Sequence, residues 1–164
     1  MSRYLPASAA FALLLLAICA APLAASSTQL SAGHPFSDIS FSTTMPQFSP
    51  NGLFAVYRQD AEIDGAVELW SVRLNGSAPV RLSDALTPAQ GQFLLFAISP
   101  DSTRVVYAVD QDLPGKTELY SVPIAGGAIT KLNLTLADDR DVIGFRISPT
   151  SNRVFYYADA AVWT

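Results

Sequence analysis

A unit recurs along this chain at a pitch of about fifty residues, and a fixed pitch restricts the fold more than any other feature here. "FSPNGLFAVYRQD" starts at Phe48, "ISPDSTRVVYAVDQD" at Ile98 and "ISPTSNRVFYYAD" at Ile147. Residues 49–83 align with 99–133 at an offset of fifty without a gap. Ser49-Pro50 meets Ser99-Pro100, Val56-Tyr57 meets Val106-Tyr107, and Asp60 meets Asp110. Gly65 meets Gly115, "ELWSV" from Glu68 meets "ELYSV" from Glu118, Gly76 meets Gly126, and Arg81-Leu82 meets Lys131-Leu132. The third copy runs from Ser148-Pro149 through Arg153-Val154, Tyr156 and Asp159 to Thr164.

Each copy holds short strand-like runs separated by turn residues. The first precedes Ser-Pro, as in "QFLLFAIS" (92–99) and "DVIGFRIS" (141–148). Pro then presets φ for the second position of a tight turn at 50–52 and 100–102. The second run, "RVVYAV" from Arg104, is apolar at successive positions, which predicts burial on both faces between two layers. The third, "TELYSVPI", alternates more, and a Gly126-Gly127 turn leads to the fourth, "AITKLNL". Beyond the N-terminal leader no long segment carries helical periodicity. An all-β fold of four-stranded antiparallel propeller blades follows, with Ser-Pro marking the hairpin between the first two strands of each blade.

The residues "FSPNGLFAVY", "ISPDSTRVVYAVDQD", "ELYSVPIAGGAITKLN" and "ISPTSNRVFYYAD" resemble the repeats of TolB-like propellers over residues 41–164. Ser102 and Ser151 depart from that pattern by replacing the glycine present at Gly52, which is expected to loosen the turn. The resemblance implies a closed ring, typically of six or more blades. This chain holds repeats near 41–90 and 91–140, then a truncated one over 141–164. An incomplete, open β-propeller of about two and a half repeats is expected, a fragment of a longer propeller protein. An open arc is further expected to expose Phe54 and Val56 at its first blade and to leave the edge of 154–158 unpaired. That favours self-association through open blade edges.

Much of the apolar excess lies in the first 25 residues. Met1-Ser2-Arg3, the apolar run "FALLLLAICAA" from Phe11, and the small residues around Ala24 to Ser27 have the order of a secretory signal peptide. We therefore divide the chain into a signal peptide, 1–25, forming a signal helix; a polar leader, 26–40; and the partial propeller, 41–164. The apolar run is short for a bilayer span of about 20 residues, so no stable membrane span is expected after processing. Export to the periplasm or the extracellular space follows. Cys19, the sole cysteine, lies in this leader behind the bulky Ile18, which argues against lipidation. The processed chain then has no disulfide frame.

Charged residues make up 15% of the chain, the net charge is −4, and its basic residues are scattered singly, so no nucleic-acid partner is expected. "DAEIDGAVELWS" from Asp60 resembles a calcium loop, but Ser71 stands where a bidentate Glu is required, and the Asp and Gly residues suit a hairpin loop. Asp138, Asp139 and Asp141 with Arg140 read as an exposed charged loop, and His34 is the only histidine. Without a Gly-x-Ser-x-Gly elbow or a histidine inside the repeats, no catalytic, cofactor or metal residue is assigned. Asn75-Gly76-Ser77 and Asn133-Leu134-Thr135 match glycosylation sequons. The expectation is an exported, non-enzymatic TolB-like scaffold that binds protein partners. The alternative is the N-terminal propeller part of a secreted prolyl-oligopeptidase-like serine peptidase.

Overall fold

The computed structural model describes residues 45–60, 65–91, 95–137 and 140–159. The leader calls, with Cys19 and His34, fall outside these residues, as do Glu62, Asp64, Asp138 and Asp139. Among the described residues, ten strands form three antiparallel sheets in chain order. The first blade contains β1 (Gln47–Phe48), β2 (Phe54–Asp60), β3 (Val67–Arg73) and β4 (Val80–Arg81). The second contains β5 (Leu95–Ile98), β6 (Arg104–Val109), β7 (Glu118–Pro123) and β8 (Thr130–Lys131). A hairpin of β9 (Val142–Ile147) and β10 (Val154–Ala158) follows. The offset of fifty persists in the ladders: Tyr57 pairs with Trp70 as Tyr107 pairs with Tyr120.

The Ser-Pro hairpins form as expected. Gly52 and Ser102 donate backbone N–H to the carbonyls of Ser49 and Ser99, each at 2.8 Å, and Ser151 does so to Ser148 at 2.9 Å. The residue closing each turn is left-handed, with φ of 70° at Gly52, 62° at Ser102 and 60° at Ser151. Fourth strands are shorter than the apolar run suggested. In "AITKLNL" only Thr130–Lys131 joins the ladder, because the positive-φ pair Gly126-Gly127 delays entry and Asn133 turns back to bond the Leu119 N–H.

Burial of β6 on both faces is borne out. Val105, Tyr107 and Val109 pack on the first blade's Val56, Leu69, Leu82 and Leu86. Val106 and Ala108, one step out of phase, pack with Leu119 on Phe145, Ile147, Val154 and Tyr156. The alternation in β7 marks no solvent face either: Glu118 through Val122 are all buried. Burying one large aliphatic side chain is worth about 1.5–3 kcal/mol, so the stack is held chiefly by these two interfaces.

One expectation is corrected. Val56 is fully buried and Phe54 packs beside it, both facing the second blade. The opposite face of the first blade carries Ala55, Tyr57, Trp70 and Val72. Period-two patterning assigns residues to two faces but cannot orient those faces when both are apolar. At the other end, β10 pairs only with β9 among the described residues. Phe155 and Tyr157 there are 63% and 60% exposed.

Candidate interaction surface

Three features of the stacked blades carry polar chemistry: the row of Ser-Pro turns, paired charges beside the outer strands, and a cavity between the last two sheets. The turns come first because they join the repeats. Asn51 donates its backbone N–H to Ser102 Oγ at 3.0 Å, and Asp101 donates its own to Ser151 Oγ at 3.0 Å. Each serine that replaces glycine therefore clasps the turn of the preceding sheet. Left-handed backbone costs a non-glycine residue roughly 1–2 kcal/mol, and a hydrogen bond returns about 1. The replacement couples neighbouring turns where the sequence suggested loosening.

Within each turn, the leading serine is committed to local structure. Ser99 Oγ donates to Asp101 Oδ1 at 2.6 Å and accepts from the Arg104 N–H at 3.0 Å. The Ser99 hydroxyl, followed by the Thr103 backbone and side chain, holds the Asp101 carboxyl below the usual carboxylate range. Ser49 repeats this pattern with Asn51 and Phe54.

Aspartates at the ends of the second strands close loops. Asp60 accepts the Gly65 N–H at 2.7 Å, and Asp110 accepts those of Gly115 at 2.9 Å and Gly91 at 2.7 Å. Asp159 accepts the Asp141 N–H at 2.7 Å. Asp60 of the calcium-like loop and its counterpart Asp110 thus serve turns, as the hairpin reading expects. Among the described residues no cluster of three His, Cys, Asp or Glu could hold a metal ion. Of the two sequons, Asn75 is exposed and caps Ser77, whereas Asn133 is buried and bonds Leu119 and Leu134.

The sequence search missed a repeated ion pair. Arg81 lies 3.2 Å from Glu68, and its counterpart Lys131 lies 2.6 Å from Glu118 and 3.0 Å from Asp112. Partial burial alone would lower the Lys131 ammonium, but Glu118 and Asp112 outweigh it and hold its pKa above the ordinary value. The signal lay in the alignment, which keeps both the Glu and its basic partner, yet the pairing becomes visible only once Trp70 is seen opposite Arg81 and Tyr120 opposite Lys131.

The cavity lies between the β5–β8 sheet and the β9–β10 hairpin. It measures about 280 Å³ and is lined by Arg104, Leu119, Ser121, Asn152, Arg153 and Tyr156, among others. A smaller recess of about 170 Å³, beside Phe54, Ser71 and Ala125, occupies the counterpart region between the first two blades.

No protein-family model matches the chain, and no curated protein matches it. Solved structures do. The putative TolB from Agrobacterium tumefaciens is similar over 74% of this chain and 42% of that one, at 16% identity and a TM-score of 0.50. TolB from Acinetobacter baumannii covers 68% and 25%, at 17% identity and a TM-score of 0.48. The β-propeller domain of the Trilobed protease from Pyrococcus furiosus covers 71% and 38%, at 15% identity and a TM-score of 0.43. The chain spans less than half of each. At these identities the likeness shows the fold alone: antiparallel propeller blades.

Proposed function

We propose that the chain is an exported, non-enzymatic scaffold of the TolB-like propeller type, which presents its turns and loops to protein partners. One observation carries this reading: the described blades face one another through apolar side chains, leaving rims and edges as contact surfaces. The turn serines support it, because their hydroxyls are engaged in turn geometry and blade coupling rather than held by a base. Export rests on the basic start, apolar run and small-residue boundary of residues 1–27. No helix among the described residues is long and apolar enough to cross a membrane.

Two measurements test the proposal. Residues 1–60 fused to alkaline phosphatase lacking its own leader should give active enzyme outside the cytoplasm, and deletion of 11–21 should abolish that activity. Photo-crosslinkers replacing the exposed Leu53 and Leu134 should trap a discrete protein adduct in the exported fraction. Inactive fusion overturns export. Absence of an adduct at both positions, or hydrolytic turnover lost on changing Ser99, overturns the scaffold reading.

A further inference from the structure

The recess of about 170 Å³ lies between two complete four-stranded blades, and both of its walls belong to them. The first blade supplies Phe54, Ser71, Ala78 and Val80, and the second supplies Ala125 from the turn between β7 and β8. Gly126 lets that turn come close, since a Cβ there would stand 2.6 Å from Val80 Cγ1. The walls are chiefly apolar, and a dry cavity of about 150 Å³ is already enough to take benzene.

Most of the polar groups here are spent. Ser71 is 2% exposed and donates its hydroxyl to the Ile124 carbonyl at 2.6 Å. Ser77 donates its own to Asn75 Oδ1 at 2.7 Å. Arg73 is the exception. It ends β3 as an exposed residue opposite Phe54 in the ladder, so the two side chains share a face. Its guanidinium carbon lies 5.8 Å from the Phe54 ring centroid, and among the described residues it meets no carboxylate. In the second blade the guanidinium at this level comes from Arg104, opposite Pro123, and is held by Ser121 Oγ at 2.7 Å. Arg73 has no such holder.

We propose that this recess binds a small free monocarboxylic acid. Its apolar body, of about six carbons by the benzene comparison, sits between Phe54, Ala78, Val80 and Ala125, and its carboxylate rests on the Arg73 guanidinium. The planar fork of N–H groups matches a carboxylate in two parallel hydrogen bonds. An amine of the same shape is repelled by Arg73, and an alcohol forgoes the charge. A free acid suits the place better than the carboxyl end of a peptide, because the neighbouring strand offers no ladder. β4 is two residues long, and Pro79 just before it has no N–H to donate. This inference goes beyond the scaffold reading and requires neither export nor a protein partner.

Sodium hexanoate is the probe. Titrated into the purified full chain, it should shift the amide resonances of 73–80 and 124–127. A dissociation constant on the order of a millimolar is expected for a ligand of so few atoms. Hexylamine, hexanol and acetate, which lack the charge or the body, should each bind about tenfold more weakly or not at all. Arg73→Gln should weaken hexanoate about tenfold, the worth of a charge-assisted hydrogen bond. Ala78→Leu should fill the recess and abolish the shifts. Both positions are exposed, so the fold should persist, and unchanged resonances elsewhere check that it does. Should either variant fail to fold, the ligand series alone decides. Undiminished binding by Arg73→Gln, equal binding of hexanol or acetate, or tighter binding of a peptide ending in leucine would each overturn the proposal. Purified chain suffices for this test, so its failure is distinct from a failure of export or of the crosslinking measurement.

Discussion

The two complete blades share ladder register, turn geometry and the Glu-to-base pair, yet they differ on the face turned toward the N-terminal side of the stack. The second blade presents Val105, Tyr107, Val109 and Tyr120 there, and all four pack on the first blade. The first blade presents Ala55, Tyr57, Gln59 and Trp70 at the equivalent places. Gln59 replaces Val109, is fully buried, and neither atom of its amide has a hydrogen-bond partner among the described residues. Backbone pairing is thus common to both units, while the side chains on this face answer to different neighbours. The difference teaches that the repeat encodes a blade and the departures from it encode what each blade touches.

Alkali should separate the blades most. Burial pushes the Tyr57 phenol up to about 12. Burial first, then the negative charges of Asp84 and Asp112 at Tyr107 and of Asp112 and Glu118 at Tyr120, raises the second blade's phenols further. Lys131 is raised as well, by the two carboxylates described above. Every one of these groups keeps in the folded chain a proton that the unfolded chain releases near pH 10. Stability is therefore fully present below that pH and falls as pH rises through the folded values, by up to about 1.4 kcal/mol per buried phenol and pH unit, while the solvent-screened Lys131 adds little. The second blade holds two of the three phenols, so its loss is steeper. Phenolate absorbance should appear together with unfolding above pH 10; smooth titration at pH 10 of a chain that stays folded would remove the contrast.

A smaller effect should come from Gln59→Val, which gives the first blade the second blade's residue. Removing a buried amide without partners is expected to stabilise by about 1–3 kcal/mol, read as a higher urea midpoint at unchanged slope. A lower midpoint would show that this face needs the amide.

Smallest is the turn comparison. Ser102→Ala keeps the left-handed strain and loses the clasp, for a cost of about 1 kcal/mol. Ser102→Gly copies the first blade's Gly52, loses the clasp and relieves the strain, and should be nearly neutral. Ser102→Ala melting as high as the unchanged chain would deny the clasp any energetic role.

Much of this architecture was legible beforehand, for identifiable reasons. The fifty-residue pitch, the Ser-Pro hairpins and the double-sided burial of β6 are local signals, carried by Pro50, Pro100 and the run from Arg104 to Val109. What could not be read was direction. Phe54 and Val56 were assigned to an outer face because alternation carries no label for inside or outside when neighbouring blades cover both. The clasp was hidden because Ser102 and Asn51 are 51 residues apart, so a serine in place of glycine looked like a weaker turn.

The clasp has one further consequence, for how such a chain can lengthen. The hydroxyl belongs to the later unit and reaches back to an amide that every residue except proline possesses. A tandem duplication that copies residues 91–140 therefore copies the joint with the blade, and the older unit needs no matching change to receive it. Units that carry their own fastening can be appended one at a time, each fitted to its predecessor from the moment it is copied.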